Sequence, residues 1–272
     1  MKKTDLFDFS YMTSLTVKAA GEDRVFLTKT AESESQAPTI LFVHGGYHGA
    51  WCFAHYLSYF EALGIPAAAM DQRGHGGLPQ DANFPDAGVA EMAEDVVASC
   101  NALSGPAILV GHSLGGLVAA AAGERVPLAG FGLLAPSPPG QLEGAAPLPP
   151  VPEGGPLPPP SAEVCGDKFL AGQIAGELGP FVSRLCPESP RLLNDRYLLR
   201  IAIDQSKFAV PAICIEAGLD TKALHPPGQD QKVAEFYGAE YHYLDRTPHC
   251  MMISSDWQDS ASLLADWYRR SF

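Results

Sequence analysis

A chain of 272 residues, 46% of them hydrophobic, suits one α/β domain with room for an insertion and can fill a sizeable core. Its formal net charge of −13 argues against nucleic acid and anionic membrane as partners, because both repel an acidic surface. A small-molecule substrate is the expected partner, and oligomeric state is not legible from composition.

Behind the Lys2-Lys3 start, Asp5 and Asp8 interrupt the apolar stretch that a signal peptide needs. The most apolar window, 107–122, is broken by His112, Ser113 and several glycines, so no membrane span is expected. The six cysteines stand at 52, 100, 165, 186, 214 and 250 without C-x-x-C spacing, which points to a reduced, cytoplasmic protein. A bridge between Cys165 and Cys186 stays open.

In chain order, residues 10–18 and 22–29 alternate around Gly21-Glu22-Asp23 and predict an N-terminal hairpin. Residues 39–43 form a short apolar run, as in a parallel strand covered on both faces. A helix over 50–63, closed by Gly64, and a strand over 65–70 follow. Residues 86–103 are the clearest amphipathic helix. There Val89, Met92, Ala93, Val96, Val97, Cys100 and Leu103 recur at spacings of three and four, with Asp86 as the expected cap. Next come a strand from Ala107, a helix ending near Glu124 and a strand over 128–134.

Composition then changes. Residues 136–160 hold 11 of the 24 prolines and almost no charge, so they predict neither helix nor inner strand. The sheet pattern resumes after residue 210, so 136–207 reads as an insertion above the sheet. Its second half predicts helices over 162–177 and 190–203, the latter with Ser189 as N-cap and Pro190 in its first turn. A strand over 212–216, a helix over 229–237, a strand over 240–244 and a closing helix over 257–270 complete the chain. In the last, Trp257, Leu263, Leu264 and Trp267 are expected to face inward. The alternation predicts an α/β fold: a doubly wound, mostly parallel sheet, its core formed by 1–135 and 208–272, with a helical, proline-rich cap over 136–207.

Chemistry concentrates where the strand from Ala107 becomes a helix, at Gly111-His112-Ser113-Leu114-Gly115. A strand that turns at once into a helix pushes one side chain out at a strained backbone angle. The residues two before and two after must then be small. Ser113 would stand above the sheet edge at a helix N-terminus, with the Leu114 amide aimed where an oxyanion forms. The bland alternative is a tightly packed helix with Ser113 only as its N-cap.

A serine needs a base, usually a histidine oriented by a carboxylate. In a parallel sheet such groups lie in loops at the carboxyl ends of strands. His249 meets that condition just past the last strand, and Asp220 meets it in Gly218-Leu219-Asp220. His242 lies within a strand, His225 precedes two prolines, and the His112 backbone turns its ring away from Ser113. The alternatives are a structural histidine at 249 and a turn residue at 220.

The order Ser113, Asp220, His249 and the strand–elbow–helix resemble the α/β-hydrolase superfamily over essentially the whole chain. The resemblance implies that the turn at His44-Gly45 makes the Gly46 amide a second oxyanion donor. It also identifies Asp71-Gln72-Arg73-Gly74-His75-Gly76 as a structural turn, with Arg73 and His75 holding loops. His48-Gly49-Ala50-Trp51 is similar to the plant methylesterase and hydroxynitrile lyase branch. The lyase carries threonine where Gly45 stands, and a lysine shortly before its histidine, where this chain has Arg246, Thr247 and Pro248.

The expected function is a serine hydrolase of a small ester, lactone or thioester, with Ser113, His249 and Asp220 catalytic, Gly46 and Leu114 binding the oxyanion, and no metal or organic cofactor. Tyr47 and His48 are candidate substrate contacts. Phe169, Leu170, Phe181, Tyr197 and Phe208 are expected to line an apolar site or to pack the cap. One alternative is a lyase or another non-hydrolytic biosynthetic enzyme using His249 as base. Another is a ligand receptor on the same scaffold.

Overall fold

The computed structural model describes residues 7, 12–18, 23–32 and 37–272. Eight strands form one sheet: β1 (Thr13–Val17), β2 (Asp23–Leu27), β3 (Thr39–Val43), β4 (Ala67–Asp71), β5 (Ala107–His112), β6 (Leu128–Leu134), β7 (Ala212–Ala217) and β8 (Glu240–Leu244). Their spatial order is β1-β2-β4-β3-β5-β6-β7-β8. The first two pair antiparallel with each other, β2 pairs antiparallel with β4, and every later pairing is parallel. The hairpin expectation holds for the strands, while Gly21 and Glu22 of its turn lie outside the described residues.

Nine α-helices join or flank the strands among the described residues: α1 (Lys29–Glu32), α2 (Ala54–Ala62), α3 (Val89–Ala102), α4 (Leu114–Gly123), α5 (Ala162–Val164), α6 (Leu178–Arg184), α7 (Pro190–Tyr197), α8 (Gln229–Tyr237) and α9 (Trp257–Ser271). Strand side chains alternate between two cores. Leu41, Val43 and Leu109 pack with α3, α4 and α8 on one face, and Ile40, Phe42, Ile108 and Val110 with α2 and α9 on the other. Burial on both faces is why these strands read as apolar runs rather than as alternation. Along α9, Leu264 and Trp267 are buried, while Trp257 and Leu263 are only half-buried.

Several boundaries differ from expectation. Residues 50–63 begin as a 3₁₀ turn, Ala50–Phe53, before α2. Asp86 falls in a separate 3₁₀ turn, Phe84–Asp86, and α3 begins after Gly88. The Gly88 amide donates to Glu91 at 2.8 Å and the Val89 amide to Asp195 of α7 at 3.1 Å, so the helix start is satisfied partly from a distant element. The helix expected over 162–177 is only α5 and one wide helical turn, Cys165–Phe169. Positive φ at Ala171 (47°) and Gly172 (72°) ends it. The next helix, α6, was not expected. Ser189 does cap α7, accepting from the Leu192 amide at 3.3 Å. However, α7 stops at Tyr197, short of 203, and Leu199 at φ 54° prevents its continuation.

Between β6 and β7 the proline-rich stretch lies along α7 and the turns after it. The amides that proline leaves available are used: Gly140 donates to Ile201, Leu148 to Tyr197, Val151 to the Asn194 side chain and Leu157 to Glu188, at 2.6, 2.8, 2.9 and 2.8 Å. All six cysteines are free thiols, Cys165 and Cys186 included. No helix among the described residues is long and apolar enough to cross a membrane.

Candidate active site

Ser113 follows β5 directly and sits at φ 53°, ψ −124°, a conformation that costs a non-glycine residue about 1–3 kcal/mol. Three backbone bonds hold it there. Its amide donates to Leu134 at 2.9 Å, and its carbonyl accepts from Gly116 at 2.9 Å and from Ser137 at 3.0 Å. A methyl group on Gly111 would stand 2.4 Å from the Gly115 carbonyl oxygen, and one on Gly115 would stand 2.2 Å from that of His44. Both positions therefore have to be glycine. The Ser113 side chain makes no capping bond to α4, so the bland N-cap reading fails.

A cleft of about 720 Å³, part of it open to solvent, lies above the carboxyl edge of the sheet, and Ser113, Leu114, Gly46, Tyr47, His48 and His249 all line it. The two candidate oxyanion residues are neighbours, since a methyl on Gly46 would lie 3.6 Å from Leu114 Cδ2. The Leu114 amide opens α4 and so belongs to the helix's first-turn donors, which lack intrahelical acceptors.

Asp220 is half a turn beyond β7, and its Oδ2 accepts from His249 Nδ1. Burial works against the Asp220 charge, but the imidazoles of His249 and His225 outweigh it and hold the carboxyl below its ordinary value. The loop carrying His249 is fixed by His112. His112 Nε2 donates to the His249 carbonyl at 3.0 Å, and burial holds the His112 pKa well below the ordinary imidazole value.

His44 and His48 shape the oxyanion loop in the same way. His48 Nδ1 donates to the Gly46 carbonyl at 2.7 Å, and its Nε2 faces the Cys250 thiol at 3.6 Å. Burial lowers the His48 pKa to about 4, so it is neutral at physiological pH. It lines the cleft with both ring nitrogens already engaged. His44 Nε2 accepts from the Gln72 amide at 3.2 Å, and its Nδ1 donates to Gly45 at 2.9 Å. Gly45 has no room for a side chain: a methyl there would meet His112 Nδ1 at 2.9 Å and Ser113 Cβ at 3.1 Å.

Arg73 is bound to Asp95, its Nε donating at 2.9 and 3.0 Å, and His75 to Glu188 at 3.1 Å, so both hold loops as the resemblance implies. Of the five residues expected to line an apolar site or pack the cap, Phe169, Phe181 and Tyr197 line the cleft. Leu170 is buried away from it, and Phe208 packs on Phe131 and Tyr237 at ring distances of 4.7 and 5.0 Å in the sheet core.

The sequence reading missed three polar groups. His225 lines the cleft, 3.5 Å from Asp220 and 3.0 Å from Asp230. Burial disfavours its cation, but these two carboxylates raise its pKa above the ordinary imidazole value. Its place in the loop after β7, shared with Asp220, was a usable signal. Glu188, fully buried, accepts from the Tyr47 amide at 2.9 Å as well as from His75. Arg196 lines the cleft from α7. Neither has a local signal, because their partners are distant in sequence.

Ligand atoms of Asp220, His225 and His249 lie within 4.8 Å of one another, a spacing that would suit a cation. Loading it would break the Asp220–His249 hydrogen bond.

A model of the "Alpha/beta hydrolase family" matches residues 40–263. The chain is 37% identical over 99 residues to Esterase PIR7B of Oryza sativa subsp. japonica, a match covering 35% of this chain and 36% of that protein. It is 35% identical over 103 residues to Protein phosphatase methylesterase 1 of Mus musculus, covering 35% and 26%. The chain thus spans about a third and about a quarter of the length of these two curated relatives. In fold it is similar to the Arabidopsis methylesterase MES16, with a TM-score of 0.67, 20% identity and coverage of 85% of this chain and 98% of that one. Tomato Methylketone Synthase I gives a TM-score of 0.67 at 17% identity, covering 87% and 99%.

Proposed function

The chain belongs to the α/β-hydrolase family, and from that membership we propose that it is a serine hydrolase of small carboxylic esters, lactones or thioesters. Ser113 Oγ attacks the acyl carbon. His249 takes the proton and returns it to the leaving group, then activates the water that releases the acyl-enzyme. Asp220 keeps the proton of neutral His249 on Nδ1 and stabilises the imidazolium. The amides of Gly46 and Leu114 receive the oxyanion. Residues 136–207 serve as a cap that closes the cleft above the sheet.

The observation that carries the proposal is the strained Ser113 at the elbow, which opens into the same cleft as a histidine bonded to a buried aspartate. The names of the relatives, esterase and methylesterase, support ester chemistry. The hydroxynitrile lyase form of the alternative is disfavoured, since this chain has Gly45 where that branch carries threonine and no lysine shortly before His249.

The test is labelling by a fluorophosphonate probe, wild type against Ser113→Ala, read by mass spectrometry. Adduct on Ser113 alone in the wild type, and none in the variant, is the expected result. A folded wild type that stays unlabelled while it turns over a substrate by carbon-acid chemistry would replace this reading with the lyase.

A further inference from the structure

Arg196 is a buried cation with no hydrogen bond to a carboxylate. It is 6% exposed, and its Nη1 is buried with no hydrogen-bond partner. Its Nη2 reaches only the Leu224 carbonyl, at the long distance of 3.4 Å. Asp230, the carboxylate that acts on it, gives its Oδ1 to His225 at 3.0 Å, and its buried Oδ2 makes no hydrogen bond to Arg196 or to any other group. Burial presses against the guanidinium charge, yet an arginine in a protein does not give up its proton.

Arg196 forms part of the wall of the cleft that holds Ser113, and it is the only lysine or arginine among the described residues lining that cleft. Much of the remaining wall is apolar, including Leu148, Phe169, Phe181, Leu185 and Leu193. In such surroundings an under-bonded cation is costly, and an entering anion strengthens its contact with it. The planar fork of donors fits a carboxylate better than it fits any neutral group. The histidines beside it do not supply this charge, since burial keeps His48 and His112 neutral, and His225 already faces two carboxylates.

We propose that Arg196 is a specificity residue that binds a free carboxylate on the substrate, so that the preferred substrates are esters or lactones with an apolar body and a second, ionised carboxyl group. The ester part of this statement rests on the serine-hydrolase reading. The carboxylate part does not.

The test uses the full chain and two matched ligand series. The first pairs monomethyl esters of linear dicarboxylic acids with the same esters carrying a primary amide in place of the free acid. Across the chain-length series the wild type is expected to favour the best acid over its amide by about ten- to a hundred-fold in kcat/KM, expressed mainly in KM. Arg196→Gln should remove that preference, lowering the acid far more than the amide, and Arg196→Lys should keep part of it.

The second series needs neither turnover nor a variant: titration calorimetry of the wild type with unreactive aliphatic carboxylates and their amides, where the acid should bind at least about tenfold tighter. Equal affinity for acid and amide at every length would overturn the proposal and leave the guanidinium as a counter-charge for Asp230. An undiminished acid preference in folded Arg196→Gln would overturn it too. Carboxylate binding without fluorophosphonate labelling would keep this site and remove the hydrolase reading. Labelling with no acid preference would do the reverse.

Discussion

At the scale of single residues, Ser113 combines strain with exposure to the cleft. Ser113→Ala should keep the fold and lower kcat by about 10⁴- to 10⁶-fold, measured on whichever ester the wild type turns over fastest. Asp220→Asn should cost about 10⁴-fold, because the amide stabilises the wrong tautomer of His249. The Asp220 carboxyl is depressed in the folded state by His249 and His225, against the effect of burial. Its pairing therefore stabilises the protein above the unfolded carboxyl value, about pH 4, and that contribution is lost as pH falls through the lower folded value. The Tm difference between wild type and Asp220→Asn should shrink as pH falls below about 4. A difference already gone near neutrality would contradict the pairing. The placement of Ser113, Asp220 and His249 at one end of the sheet was legible in the sequence because each lies just beyond a strand, where a parallel sheet exposes its loops. Glu188 was not, since nothing near it in the chain shows that Tyr47 and His75 will meet it.

At the scale of elements, apolar strands and capped helices were legible, and cap geometry was not. The sheet depends on local runs, whereas positive-φ residues end the helical turn after α5 and stop α7, and a tertiary bond from Val89 to Asp195 completes the start of α3. Proline content suggested an irregular segment but could not show that its remaining amides would dock on α7 and its neighbours. The strand-to-helix elbow has a sharper requirement. Gly111→Ala and Gly115→Ala each push a methyl into backbone, so each should destabilise by about 1–3 kcal/mol or more in urea denaturation, with labelling of Ser113 slowed. Glu188 ties the cap to the oxyanion loop through the Tyr47 amide and to the turn at 71–76 through His75. Burial opposes the His75 cation, but Glu188, with Asp71 further off, outweighs burial and raises its pKa, while the neighbouring His44 stays neutral. Such a pair stabilises fully below the unfolded imidazole value, about 6.5, and its contribution is lost as pH rises through the higher folded value. The Tm advantage of wild type over Glu188→Gln should be greatest in mild acid and decline on the alkaline side. An advantage independent of pH would mean that Glu188 acts only as an acceptor for the Tyr47 amide.

At the scale of the whole molecule, charge acts with opposite signs at different distances. The formal net charge of −13 repels an approaching carboxylate, whereas Arg196 in the cleft attracts it at contact. Salt separates the two effects, because the Debye length is about 10 Å at 0.1 M and about 30 Å at 0.01 M, while buried pairs are screened much less. Raising ionic strength across that range should weaken the long-range repulsion more than the contact attraction. For a carboxylate-bearing ester, kcat/KM should therefore rise by roughly two- to five-fold, while its amide counterpart stays nearly constant. In Arg196→Gln the repulsion persists without the contact, so the acid should keep its salt dependence at a lower absolute rate. The decisive comparison is the ratio of acid to amide against ionic strength in both proteins. A ratio in the wild type that falls with salt would place the attraction on an exposed surface charge instead of on the buried guanidinium.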